Sequence, residues 1–120
     1  MTFEQIKDML AMVDTPADKL EMVMDLGAHM PDVPSDAVCT DIIGCASHAE
    51  ICCVGNQFYG RADSALVRGI VAIVTAMVDG HTPDEIKQMD LAGTFSALGL
   101  PLGAGRLNGV NSMIRFLQNL

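Results

Sequence analysis

The chain has 120 residues, half of them apolar, and a formal net charge of −8 from fifteen acidic and seven basic side chains. That length suits one domain over residues 1–120 with a core of its own, and the apolar share excludes a disordered chain. The acidic balance argues against nucleic acid, which needs clustered Lys and Arg, and no apolar run is long enough to span a bilayer.

Phe3, Ile6, Met9, Leu10 and Val13 recur at helical spacing and predict an amphipathic helix over residues 2–13. Thr15 is a cap and Pro16 suits the first turn of a second helix. Its stripe is Leu20, Val23, Met24 and Gly27, and it ends near His29 and Met30. Pro31-Asp32-Val33-Pro34-Ser35-Asp36 breaks the helix into a turn-rich connection. Strands are then expected at Val38–Ile43, Glu50–Val54 and Gln57–Gly60, with a bend at Gly44 and Cys45 and a turn at Gly55-Asn56.

Asp63 and Ser64 restart the helical pattern as a cap, the Asp63 carboxylate serving backbone amides. Leu66, Ile70, Ile73, Val74, Met77 and Val78 fill most of the next helix's circumference, so it is expected to be the most buried element. Asp79-Gly80 ends it. Thr82-Pro83-Asp84-Glu85 is a capping box for a short helix through Met89. Asp90 caps another, Leu91 to Leu98, closed by Gly99. Gly103-Ala104-Gly105 reads as a flexible loop before a closing helix, Leu107 to Leu120, with Val110, Met113, Ile114 and Leu117 inward. The class is α+β: a small three-stranded antiparallel sheet packed against several helices. Nine methionines and few aromatics make the core adaptable.

The four cysteines, Cys39, Cys45, Cys52 and Cys53, fall within fifteen residues, and two are adjacent. Met1-Thr2-Phe3-Glu4-Gln5 lacks the pattern of an export signal, so a cytoplasmic setting and reduced thiols are expected. Cys45 is distinctive because Ile42 and Ile43 favour an extended chain and Gly44 permits a sharp turn, which presents the thiol at a bend. Sulfur chemistry at such a thiol goes through the thiolate, and a nearby donor or cation lowers its pKa from about 8.5. Ser47 and His48 are the nearest such groups in sequence. For Cys39, Cys52 and Cys53 the plain reading is apolar filling of a strand, with Cys52 and Cys53 on opposite faces. The alternative is a metal-binding or Fe–S scaffold-like module using Cys39, Cys45, Cys52 and Cys53, with a sharper metal set of Cys39, Asp41, Cys45, His48 and one of Cys52 and Cys53. The spacing matches no structural zinc pattern.

Ile43-Gly44-Cys45-Ala46-Ser47, Gly60-Arg61-Ala62-Asp63-Ser64-Ala65-Leu66-Val67-Arg68-Gly69, Asp79-Gly80-His81-Thr82-Pro83-Asp84-Glu85-Ile86 with Gly99-Leu100, and Arg106-Leu107-Asn108-Gly109-Val110-Asn111-Ser112-Met113-Ile114 occur in that order. Together they resemble the SufE family over nearly the whole chain, a fold related to IscU-type scaffolds. The resemblance implies a sulfur acceptor and activator for a SufS-like cysteine desulfurase in iron–sulfur cluster assembly. Cys45 would carry the persulfide and pass it to a downstream Fe–S scaffold. Pyridoxal phosphate would belong to the desulfurase, and this chain, a carrier and not an enzyme, would hold no cofactor or metal. The resemblance also places Arg106 and Asp63 near the cysteine loop, with Ser47 and His48 as supporting groups. After Gly-Cys the family usually has glutamine, serine, glutamine, a branched residue and tryptophan, where this chain has Ala46, Ser47, His48, Ala49 and Glu50. Replacing the aromatic by a carboxylate changes the surface beside Cys45, and with it the partner that fits. Cys45, with Ile42, Ile43 and Ala46 around it, is expected to rest sheltered.

Overall fold

The computed structural model describes residues 1–45 and 47–120. The chain opens with helix α1 (Phe3–Ala11), where Thr2 and Gln5 form a capping box, and helix α2 (Pro16–Ala28), where the Thr15 hydroxyl accepts from the Asp18 amide with Pro16 in the first turn. A non-helical connection then leads to strand β1 (Val38–Asp41), strand β2 (Ala49–Val54) and strand β3 (Gln57–Ala62). Helices α3 (Ala65–Val78), α4 (Pro83–Lys87), α5 (Leu91–Ser96) and α6 (Ala104–Gln118) complete the molecule. The α+β class with an antiparallel sheet is what the sequence predicts.

The sheet order is β1-β2-β3, so β1 is an edge and β2 the centre. Both pairings are antiparallel, with Cys39 opposite Cys52 and Asp41 opposite Glu50 in one, and Ile51 opposite Gly60 in the other. Alternation along the strands sends Ala49, Ile51, Phe58 and Ala62 into the core. Glu50, Cys52, Tyr59 and Arg61 stand on the other face.

Helix α3 runs through the middle, with nine of its residues buried, including Ile70, Val71, Ile73 and Val74. Its sequence is apolar around most of its circumference because it meets α2 on one side and the sheet on another. Contact with α2 is backbone to backbone: a Cβ on Gly27 would stand 2.5 Å from the Gly69 amide nitrogen. Helix α6 adds Val110, Met113 and Leu117 to the core. Its Gln118 side-chain amide donates to the Met89 carbonyl at 2.8 Å, tying the last turn to the end of α4.

Four expectations are corrected. Strand β1 stops at Asp41, although the Ile42 amide still donates to the Ala49 carbonyl at 2.9 Å, because Ile43 and Gly44 already turn. The cap of α3 is Ser64, whose hydroxyl accepts from the Val67 amide; Asp63 lies one residue too early for its carboxylate to reach the free amides of the first turn. Gly103-Ala104-Gly105 is no loop, since Gly103 is the N-cap of α6 and Ala104 its first residue. Finally, Cys39 and Cys52 are joined as a disulfide, while Cys45 and Cys53 are free thiols. Close spacing of the cysteines gave no hint of this pairing, because the β1–β2 register sets them opposite each other.

Candidate functional site

Between β1 and β2 the described residues 42–45, Ser47 and His48 form a short loop whose stalks are paired strands. Ile42 turns inward and is buried, while Ile43 at the tip is 82% exposed. Gly44 reverses the chain at φ 99°, a conformation that only glycine adopts without strain. The expectation that Ile43 would help bury the loop is thus not met, and Ala46 lies outside the described residues.

After that turn Cys45 points back toward the helices and is half-buried. Its sulfur lies against the α6 backbone at Gly109, where a Cβ would stand only 3.0 Å from Sγ. The thiol opens on a pocket of about 400 Å³, lined by Cys45, Ser47, Ser64, Ile70, Arg106 and Met113 among others. The loop, the start of α3 and the first half of α6 form its walls. Burial pushes the Cys45 thiol up from its ordinary pKa, so in the resting protein the protonated form is favoured at neutral pH.

Two further features give this pocket its chemistry. The Ser47 hydroxyl is buried and has no hydrogen-bond partner among the described residues, an unmet demand for a group beside the thiol. Helix α6 begins at the pocket without a side-chain cap, since Gly103 has none to give, so its first amides remain available. Arg106 sits in that first turn, exposed, and supplies a cation at the mouth. A thiol, a hydroxyl, a guanidinium and a helix N-terminus in one hollow suit a sulfur species carrying negative charge.

The remaining predicted residues fall elsewhere. His48 stands in the turn before β2, not within a strand, and its Nε2 meets the Asp41 carboxylate at 3.0 Å across the base of the loop. Glu50 and Asp63 each approach the same ring at 3.9 Å. His48 and Asp63 therefore belong to a polar clasp beneath the loop, and Cys45, Ser47 and Arg106 to the pocket. Helical residues of the pocket such as Gly109 and Met113 were not singled out as site residues in the sequence; the signal for Gly109 was a glycine inside an otherwise regular helix.

The thiol-rich metal set is not assembled here. Cys39 and Cys52 are bonded to each other, and Asp41 and His48 come together with Glu50, not with a sulfur. The Arg61 guanidinium lies 3.4 Å from that Glu50 and 3.6 Å from the Cys39 sulfur.

The clasp has a definite pH behaviour. The hydrogen bond to Asp41, aided by the charges of Asp41, Asp63 and Glu50, raises the His48 pKa above its ordinary value of about 6.5. Its stabilisation is therefore complete below about pH 6.5 and fades as pH rises through the higher folded value. We expect the melting temperature of the wild type to exceed that of Asp41→Asn most at about pH 5, with the gap closing by about pH 9. A gap that stays constant over that range would show that the clasp is not a charged pair.

The family model of the SufE Fe–S metabolism associated domain matches residues 4–120. The chain belongs to the SufE family. A SufE-like protein of Rhizobium meliloti is 32% identical, over 98% of this chain and 93% of the relative. The sulfur acceptor protein CsdE of Escherichia coli is 26% identical, over 94% of this chain and 83% of its own length. A hypothetical protein of Thermus thermophilus, known from its solution structure, has the same fold with a TM-score of 0.70 at 14% identity, over 99% of this chain and 94% of that one. No helix is long and apolar enough to cross a membrane among the described residues.

Proposed function

We propose that the protein is a sulfur acceptor of iron–sulfur metabolism, working as one domain over residues 1–120 in the cytoplasm. Its partner is a cysteine desulfurase, which it activates by removing the product sulfur. The observation that carries this reading is the Cys45 thiol, half-buried on a glycine turn and opening on a pocket of about 400 Å³. Family membership and the sulfur-acceptor relative support it.

The Cys45 thiolate attacks the terminal sulfur of the desulfurase persulfide. The bond between that sulfur and the desulfurase cysteine breaks, the desulfurase leaves as its own thiolate, and Cys45 carries the sulfur as a persulfide. Ser47 donates to the charged terminal sulfur, Arg106 and the α6 amides offset its charge, and the apolar wall of Ile70 and Met113 keeps reductants away. His48 and Asp63 hold the loop's base and act on Cys45 only through its position. The cargo then passes to an Fe–S scaffold. The protein is a carrier: pyridoxal phosphate resides on the desulfurase, and this chain needs no cofactor.

Incubation with a cysteine desulfurase and free cysteine, followed by intact mass, tests the reading. The expected result is one added sulfur on the wild type and none on Cys45→Ser. An unmodified wild type, or equal labelling of Cys45→Ser, would sink it.

A further inference from the structure

The disulfide lies across the stalk of the Cys45 loop. Cys39 and Cys52 occupy facing positions of β1 and β2, the two strands that flank Cys45. Strand β1 has little else to hold it. It is a four-residue edge strand, and its Val38 and Thr40 side chains are exposed, Val38 by 69%. Between that disulfide and the loop tip the described residues supply the clasp, the buried Ile42 side chain and a few ladder bonds, among them the Ile42 amide to the Ala49 carbonyl. Parting or tilting of these stalks is a route by which Cys45 can lift off Gly109 and out of its pocket. A covalent tie between them restrains that motion.

The pair is also built for exchange. Cys52 is 0% exposed, whereas Cys39 is partly open to solvent on the edge strand, so an attacking thiol has one approach. The Arg61 guanidinium, 3.6 Å from the Cys39 sulfur, favours the thiolate form of that cysteine once it is released.

We propose that Cys39 and Cys52 form a redox lock on the sulfur-carrying loop, closed as the disulfide and opened by a dithiol reductant of the thioredoxin chemical class. The proposal rests on the carrier reading of Cys45 and adds its regulation. A reductant thiolate attacks Cys39 Sγ, the Cys39–Cys52 bond breaks, and its electron pair goes to Cys52, which takes a proton. The reductant's second thiolate then attacks its own sulfur in the mixed disulfide and expels Cys39 as a thiolate beside Arg61. The net change is one protein disulfide reduced to two thiols and one dithiol oxidised to a disulfide. Reducing conditions thus free the loop to present its sulfur, and oxidising conditions hold it shut.

The test uses the full chain prepared in both states, oxidised with diamide and reduced with a phosphine that is then removed. Iodoacetamide labelling of Cys45 is followed by peptide-resolved mass spectrometry, and exchange of the Ile42 amide by NMR. We expect reduction to speed Cys45 labelling by about tenfold or more and to speed Ile42 exchange in parallel. Cys39→Ser/Cys52→Ser should label at the fast rate in both conditions. Equal Cys45 rates in oxidised and reduced wild type, or a Cys39–Cys52 pair that never oxidises, overturn the lock; the wild-type comparison stands even if the double variant fails to fold. Sulfur loading measured alongside separates the two claims. Loading at the same rate in both states refutes the lock and leaves the carrier, while no loading in either refutes the carrier and leaves the labelling result to decide the lock.

Discussion

Gly69→Ala is expected to lower stability by about 3 kcal/mol or more, with a drop in melting temperature of roughly 10–20 °C. A methyl group at this position would run into the Val23 carbonyl oxygen of α2 and stand 2.6 Å from its carbonyl carbon. Those atoms are backbone, so no side-chain rotation relieves the overlap. The helices would have to move apart, and the layer they form with Val23 and Ile70, both buried, would open with them. Gly105→Ala is the control. It lies in the first half of the exposed α6 surface with nothing near its missing Cβ, and should gain up to about 1 kcal/mol from helix propensity. Thermal melts of the two variants decide the matter: a Gly69→Ala protein melting within a few degrees of wild type would show that the α2–α3 contact is not as close as described.

Cys45 in the oxidised, isolated protein should react with iodoacetamide about ten- to hundredfold more slowly than a free peptide thiol. Its pKa is raised by burial, which lowers the thiolate fraction. The seat on α6 also hinders the reagent, and lifting the loop off it costs ~1–3 kcal/mol if docking of a partner is to drive it. Addition of a cysteine desulfurase should restore most of the lost rate once the Cys39–Cys52 bond is reduced, and little of it while that bond is closed. Gly109→Ala probes the structural cause, because its methyl would stand 3.0 Å from Sγ and push the thiol a few tenths of an ångström off its seat. Alanine is also the better helix former, so α6 is expected to survive the change. Labelling of Gly109→Ala several times faster than wild type is the expected outcome. A variant as slow as wild type would mean that something other than the seat on α6 protects Cys45, and a wild type as fast as a peptide would abolish the shelter altogether.

Much of the fold was legible because its signals are local. Thr15, Thr82 and Asp90 cap where their side chains and spacing say they should, and the all-round apolar pattern of residues 66–78 marked the central helix. Local signals failed where two residues compete or where partners are distant. Asp63 and Ser64 are both good caps, and only the backbone decides that Ser64 takes the position. Gly103 and Gly105 look like loop residues, yet the first turn of a helix leaves its amides unpaired and tolerates glycine. At the site, Cys45 was legible from Ile-Ile-Gly-Cys and from the family's blocks. The Cys39–Cys52 bond was not, since it depends on strand register, and the Asp41–His48 clasp and the Gly109 seat depend on contacts between elements remote in sequence.

The adjacency of Cys52 and Cys53 gives the sheet a second use as a partition. Consecutive strand residues face opposite ways, so the Cys39–Cys52 bond sits on the outer side while Cys53 faces the helical core, against which Cys45 also packs. On the proposed carrier role, sulfur held at Cys45 lies on the helical side of the sheet and the bonded pair on the other. Oxidising equivalents captured outside and cargo held inside would then occupy separate circuits, kept from disulfide scrambling by the thickness of one β-sheet.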